Sequence, residues 1–179
     1  MITTAVITII FAVLAISLLL LAAGMILTFL SNRYAVAVSY AGLFGIGISI
    51  HELPCNSLIF WGVAATIVIV IQCLLPKNIA KSTRGVGYIA GATLAGTFVG
   101  LAISHEWMIV GAVAGAILGG IAYSRTPAGS VMEFPSSKFL NYLCAKGLPA
   151  VVSSCIVGTA ILWLTAILSE MSASPLINP

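Results

Sequence analysis

The sequence predicts an all-α membrane protein with six transmembrane helices, a glycine-rich hairpin of the fourth and fifth, and a cytoplasmic surface helix. Three observations carry the prediction. Of 179 residues, 61% are apolar and 6% charged, against about 45–50% and about 25% in a soluble domain. Uncharged apolar stretches recur at the length of about 20 residues that a helix needs to cross a bilayer, and mean hydropathy is +1.21. The cations also partition. With six spans, Arg33, then Lys77, Lys81 and Arg84, then Arg125, Lys138 and Lys146 all fall on one side, while Glu52, Glu106 and Glu170 fall on the other. Five or seven spans would break this pattern. Positive loops stay inside, so both termini are expected outside the cytoplasm. The composition excludes a soluble globular domain, a disordered chain and a nucleic-acid binder.

Charges and turn residues place each element in a single membrane domain, 1–179. The first 32 residues carry no charge. Span 2–30 is too long for a signal-peptide core of about 7–15 residues and lacks a preceding Lys or Arg. Ser31-Asn32-Arg33 ends it. Span 34–50 runs to the turn His51-Glu52-Leu53-Pro54, because Pro54 disfavours helix in the residue before it. Span 57–75 stops at Pro76, and a polar loop follows through Arg84. Spans 86–104 and 107–124 are joined by His105-Glu106 alone, which makes them an antiparallel hairpin. Span 149–168 admits Pro149 in its first turn. The tail after it reads as coil.

Residues 125–146 form the one long polar segment. Pro135-Ser136 can start a helix there, within 131–146, with Phe139, Leu140 and Leu143 on one face and Lys138 and Lys146 off it. That is the pattern of a helix lying on the inner membrane surface; a solvated loop is the alternative.

Glycine is the informative residue, at 17 of 179 positions. Gly111, Gly115 and Gly119 recur every four residues in the fifth span. Gly87 and Gly91, and Gly96 and Gly100, do so in the fourth. Four-residue spacing puts these on one helix face, where the missing side chains let another backbone approach. The stripes pack the two spans together, face another subunit, or line a pore. Gly42, Gly45 and Gly47 in the second span, and Ser153, Ser154 and Gly158 in the sixth, are candidate partners for the hairpin.

The chain's two histidines each precede a glutamate, as His51-Glu52 and His105-Glu106. An offset of 54 aligns these pairs, and also Ala41-Gly42-x-Phe44 with Ala95-Gly96-x-Phe98. This is either a parallel duplication, an arrangement known among transporters, or a chance match, since it does not extend into the third and fifth spans. His and Glu are metal ligands and acid–base groups. Polar residues also belong at interfacial turns, and the sequence favours that role for His51, Glu52, His105 and Glu106, with no bound metal. Cys55, Cys73, Cys144 and Cys155 lack metal-ligand spacing and read as small polarizable hydrophobes.

No acidic or basic residue lies inside a span, which argues against a proton-coupled antiporter or pump. Serine and threonine hydroxyls within spans can bond back to their own helices. The chain has no phosphate-binding glycine loop with Lys and no HExxH motif. Lacking Asp, it cannot build a Ser-His-Asp triad. No catalytic residue and no cofactor are expected.

Four features in order carry a resemblance: an uncharged first span ending at residues 18–30; Cys73-Leu74-Leu75-Pro76 leading into a basic stretch; Gly85-Val86-Gly87-Tyr88 with the glycine-rich pair through Gly120; and a last span entered through Lys146-Gly147 and containing Gly158-Thr159. In this the chain resembles a family of uncharacterised small bacterial membrane proteins with a glycine-zipper hairpin. It departs from them at Leu30-Ser31-Asn32-Arg33, where members often carry a Pro-Gly-Leu-Pro-Gly-like turn, and in lacking an Asp before the hairpin. The resemblance implies a protein of the bacterial inner membrane, with no catalytic residues to carry over.

The functional expectation is a non-catalytic integral membrane subunit or scaffold. It sits in the lipid bilayer and packs with itself or another membrane protein through small-residue faces. The alternative is a small transporter or channel for an uncharged or lipid-like substrate; a membrane enzyme ranks third. A transporter would hold a polar cavity between its helices, and a scaffold a closed bundle with an exposed glycine or aromatic face.

Overall fold

The computed structural model describes residues 2–49, 55–75, 84–129 and 135–173. Among them are six helices and no strand: α1 (Ile2–Phe29), α2 (Ala35–Ser49), α3 (Cys55–Leu74), α4 (Val86–Ile103), α5 (His105–Ser124) and α6 (Ser137–Ala173). Five are long and apolar enough to cross a membrane, while α2 has 15 residues. At 1.5 Å per residue α2 measures about 22 Å, short of a hydrocarbon core of about 30 Å. The outward faces are as apolar as the core. Leu19, Val99 and Leu118 are exposed, whereas Leu43, Ile46 and Ile156 are fully buried. Helices apolar all round suit a lipid solvent, and five of them make this a multi-pass membrane protein.

Two close helix pairs flank one long helix. In the first pair, Gly24 of α1 lies against Ser39 of α2, and a Cβ at Gly42 would sit 2.8 Å from the Ser17 carbonyl oxygen. In the second, α4 and α5 meet backbone to backbone. A Cβ at Gly100 would lie 2.8 Å from Met108 Cα, one at Gly115 3.0 Å from Thr93 Cα, and one at Gly119 2.8 Å from Ile89 Cα. A single extended residue turns this hairpin. Ser104 gives its N–H to the Gly100 carbonyl, and its hydroxyl oxygen accepts from the Trp107 N–H at 3.3 Å. It thus closes one helix and N-caps the next.

Helix α6 touches all five others. Val152, Cys155, Ile156 and Ala160 join Leu43, Ile46, Trp61 and Met108 in one core. Tyr142 and Ala150 join Val86, Ile89, Ala116 and Tyr123 in another. Gly158 faces Met108 and Thr97, so the sixth span does pack on the α4–α5 pair. The second span does not use its glycines that way: Gly42 and Gly45 face α1, and Gly47 faces Leu58 of α3.

The expected surface helix is corrected by the structure. Residues 137–146 are the first turns of α6, a continuous helix of 37 residues with Pro149 inside it, about 55 Å long. Ser136 caps its start, accepting from the Phe139 N–H at 3.1 Å. The buried face is Phe139, Tyr142, Ala145 and Lys146, while Leu140 is exposed. Of the expected apolar face, Phe139 is buried and Leu143 packs on the second core, while Leu140 is exposed and Tyr142 is buried instead. Phe139 fills the space over Gly120. Tyr142 stacks on Tyr123 with centroids 5.5 Å apart, and its hydroxyl donates to the Arg84 carbonyl at 2.6 Å. The apolar face of this segment therefore meets the end of the hairpin, not lipid. Gly85 permits the approach: at φ +76° it has no Cβ to strike either tyrosine ring system.

Candidate functional site

The site grows from the end of α1. The Ser31 N–H donates to the Thr28 carbonyl and the Asn32 N–H to the Leu27 carbonyl, each at 3.0 Å. This is the Schellman pattern, which needs a left-handed residue between helix and turn. Glycine is usual there; here it is Ser31, with φ 56°. The Asn32 side-chain oxygen then accepts from the Tyr34 N–H at 3.1 Å and fixes the entry to α2.

Arg33 follows in this turn, exposed. From α6 comes Lys146, only 4% exposed, whose Nζ donates to the Ser31 hydroxyl. A buried ammonium needs such acceptors, because leaving water is costly to an ion. Gln72 and Leu75 close the cleft from the end of α3, Val86 from the start of α4, and Pro149 from α6. Pro149 has no N–H for the carbonyl four residues back, that of Ala145, another lining residue. The enclosed volume is about 360 Å³. Among the described residues its lining holds two cations, several neutral polar groups and no carboxylate. The Gln72 Oε1 atom is buried and finds no hydrogen-bond donor among the described residues.

The cleft brings the ends of α1 and α3, the start of α4 and the third and fourth turns of α6 to one basic end of the bundle, together with Arg84 beneath Tyr142 and Arg125 at the end of α5. Chemically it can hold an anion: an Arg fork and a Lys point charge are the usual phosphate and carboxylate binders.

The other sequence-derived candidates lie elsewhere. His105 and Glu106 are exposed in the first turn of α5, at the opposite end, where a carboxylate favours the helix N-terminus. His51 and Glu52 lie outside the described residues. Among the described residues no cluster of three or more His, Cys, Asp or Glu could hold a metal. Gly96, Gly100, Gly111, Gly115 and Gly119 face the partner helix within the α4–α5 pair. Gly87 and Gly91 face open space, with nothing within 4 Å of a Cβ.

Sequence reasoning passed over Ser31, Gln72 and Lys146 as a site. The available signal was positional: polar residues at the ends of three spans, all on the side that carries the cations. The chain matches no family model, no characterised protein and no solved structure.

Proposed function

We propose that this is a non-catalytic subunit or scaffold of the bacterial inner membrane. In this reading it has six spans with both termini outside, and associates with itself or another membrane protein through a glycine face. The observation that carries the reading is the open face of α4. Gly87, Gly91 and Ala95, spaced by four, are all exposed, and no atom of the chain fills the space above the two glycines. In lipid, such a groove gains packing only when another helix enters it. The remaining helix glycines of α4 and α5 are occupied by contacts inside the chain, so this stripe is left for a partner.

The buried threonine hydroxyls weigh against a transporter, whereas those of Ser39, Ser153 and Ser154 are buried without a partner among the described residues. Thr93 donates to the Ile89 carbonyl at 2.6 Å, Thr97 to Thr93 at 2.8 Å and Thr159 to Cys155 at 2.9 Å. These buried groups are bonded to their own helices and do not line a water path. The described acidic side chain Glu106 and the arginines lie at helix ends or turns, and Lys146, in the third turn of α6, is the cation buried among the described helices.

Gentle-detergent purification of tagged protein tests the proposal, with particle mass and co-purifying chains measured together. The wild type is expected as an assembly, and Gly91→Leu as a single chain of unaltered thermal stability. A monomeric wild type without co-purifying chains, or an assembly indifferent to Gly91→Leu, would overturn it.

A further inference from the structure

We infer that the groove between α1 and α6 holds one acyl tail of a phospholipid from the leaflet at the basic end. The inference goes beyond the scaffold reading and is independent of it, because no residue of the open α4 face lines this groove.

Side-chain size opens the groove. Gly24 is the one glycine of α1, and it lies against Ser39 of α2. Towards α6, α1 presents side chains instead. Leu21 and Ala160 are buried at the floor of the hollow. Leu18, Met25, Ile161 and Leu164 keep part of their surface at its edges, and Ala22 is exposed beside them. The cavity is about 210 Å³, and every side chain that lines it is apolar. In lipid there is no hydrophobic force to close such a hollow, so packing decides what fills it. Left empty, its lining would forfeit dispersion contacts.

Length and depth select the occupant. From Leu18 to Met25 the groove follows about 10 Å of helix. A helix about 10–12 Å wide that crosses a core of about 30 Å does not seat in so short a hollow. A single hydrocarbon chain can lie along it. Counted from the turn at Ser31, Met25 lies about 9 Å and Leu18 about 20 Å into the bundle. Each leaflet supplies about 15 Å of the hydrocarbon core, so the groove covers the distal part of one leaflet's tails and the midplane. Helical spacing identifies the leaflet. Leu18, Leu21 and Met25 continue at three-to-four spacing to Thr28, and Leu164, Ala160 and Val157 continue through Ser153 to Pro149. Thr28 and Pro149 line the cleft at the basic end. The seam therefore runs from the headgroup level of that end to the groove, the path of a phospholipid tail.

Photolabelling of the full chain in phosphatidylcholine nanodiscs tests the inference. The probe is a phosphatidylcholine with a diazirine in the distal half of one tail, and adducts are mapped by mass spectrometry. Val99 and Leu118 are the comparison. Both are exposed and neither lines the groove. They lie about 20 Å and about 9 Å from the basic end, counted from Val86 and Ser124, so they match the depth of the groove. Adducts on Ala22, Met25 and Val157 are expected to exceed those on Val99 and Leu118 several-fold. Ala22→Phe fills the groove from its exposed edge and should bring the seam down to the level of the comparison residues. Ile16→Phe, at an exposed position of α1 off the groove, should leave the excess intact. Seam labelling no higher than that of Val99 and Leu118 overturns the inference, because ordinary boundary lipid then accounts for it. An excess that survives Ala22→Phe overturns it too. The wild-type comparison decides the first point whether or not a variant folds.

Discussion

Ser31 carries two demands that conflict. Its backbone is left-handed, which costs a residue with a Cβ about 1 kcal/mol or more relative to glycine, and its hydroxyl is an acceptor for the Lys146 ammonium. Glycine would satisfy the first demand and fail the second. Alanine fails both. Ser31→Gly is therefore expected to lose the hydrogen bond and regain part of that loss from the relaxed backbone. Ser31→Ala should unfold at lower denaturant by a further ~1 kcal/mol. Equal stabilities for the two variants would show that the position is not left-handed in the folded protein. Little of this was legible beforehand. The sequence marks Ser31-Asn32-Arg33 as a break, because a polar triplet ends an apolar run. It does not mark a left-handed serine where glycine or asparagine is the common choice. Nor does it reveal the burial of Lys146, whose partner lies 115 residues away in the chain. Local pattern placed Lys146 off the apolar face of its helix, and only the tertiary contact shows why a cation is buried there.

Among elements, the sequence says most about α4 and α5, because it leaves only His105-Glu106 to join the two spans and gives them four-residue glycine spacing. What spacing alone left open was which glycines the pair uses. The structure divides them, and the division yields opposite expectations for the same substitution. Gly115→Leu places a side chain where a Cβ already comes within 3.0 Å of Thr93 Cα, so the hairpin must open, at a cost of about 3 kcal/mol or more. Gly91→Leu enters open space and should leave the unfolding midpoint within about 0.5 kcal/mol of wild type, because it acts on association alone. The first turns of α6 depart from the expected surface helix because their apolar face, with Tyr142 buried beside Phe139, docks on the hairpin. Tyr142→Phe keeps the stack on Tyr123 and removes the donor to the Arg84 carbonyl. The expected loss is about 1 kcal/mol, read as a shift in denaturant midpoint. An unchanged midpoint would mean that packing alone docks α6 onto the hairpin.

At the scale of the molecule, the helical membrane class follows from a quantity that sums along the chain, apolar length, and was readable. The arrangement of helices within the membrane was not, because every helix is apolar on all sides and no charge stripe distinguishes a central helix from a peripheral one. The structure makes α6 the centre and sets α3 at the rim, with Ile59, Phe60, Val63 and Ile67 exposed. The proposed six spans lead to the broadest prediction. Arg33, Arg84, Arg125 and Lys146 gather at one end, and His105 and Glu106 lie at the other. On the positive-inside rule the first end is expected to be cytoplasmic. In a background with Cys55, Cys73, Cys144 and Cys155 replaced, single cysteines at two exposed positions report on the two ends. His105→Cys should react with a membrane-impermeant maleimide added to intact cells. Arg125→Cys should react only after the membrane is permeabilised. Because α5 alone separates the two positions, the pair also tests whether that helix crosses. Labelling of both from outside would refute the crossing of α5. The inverse pattern would keep the crossing, reverse the orientation and set the basic cleft facing outwards, against the rule on which the topology rests.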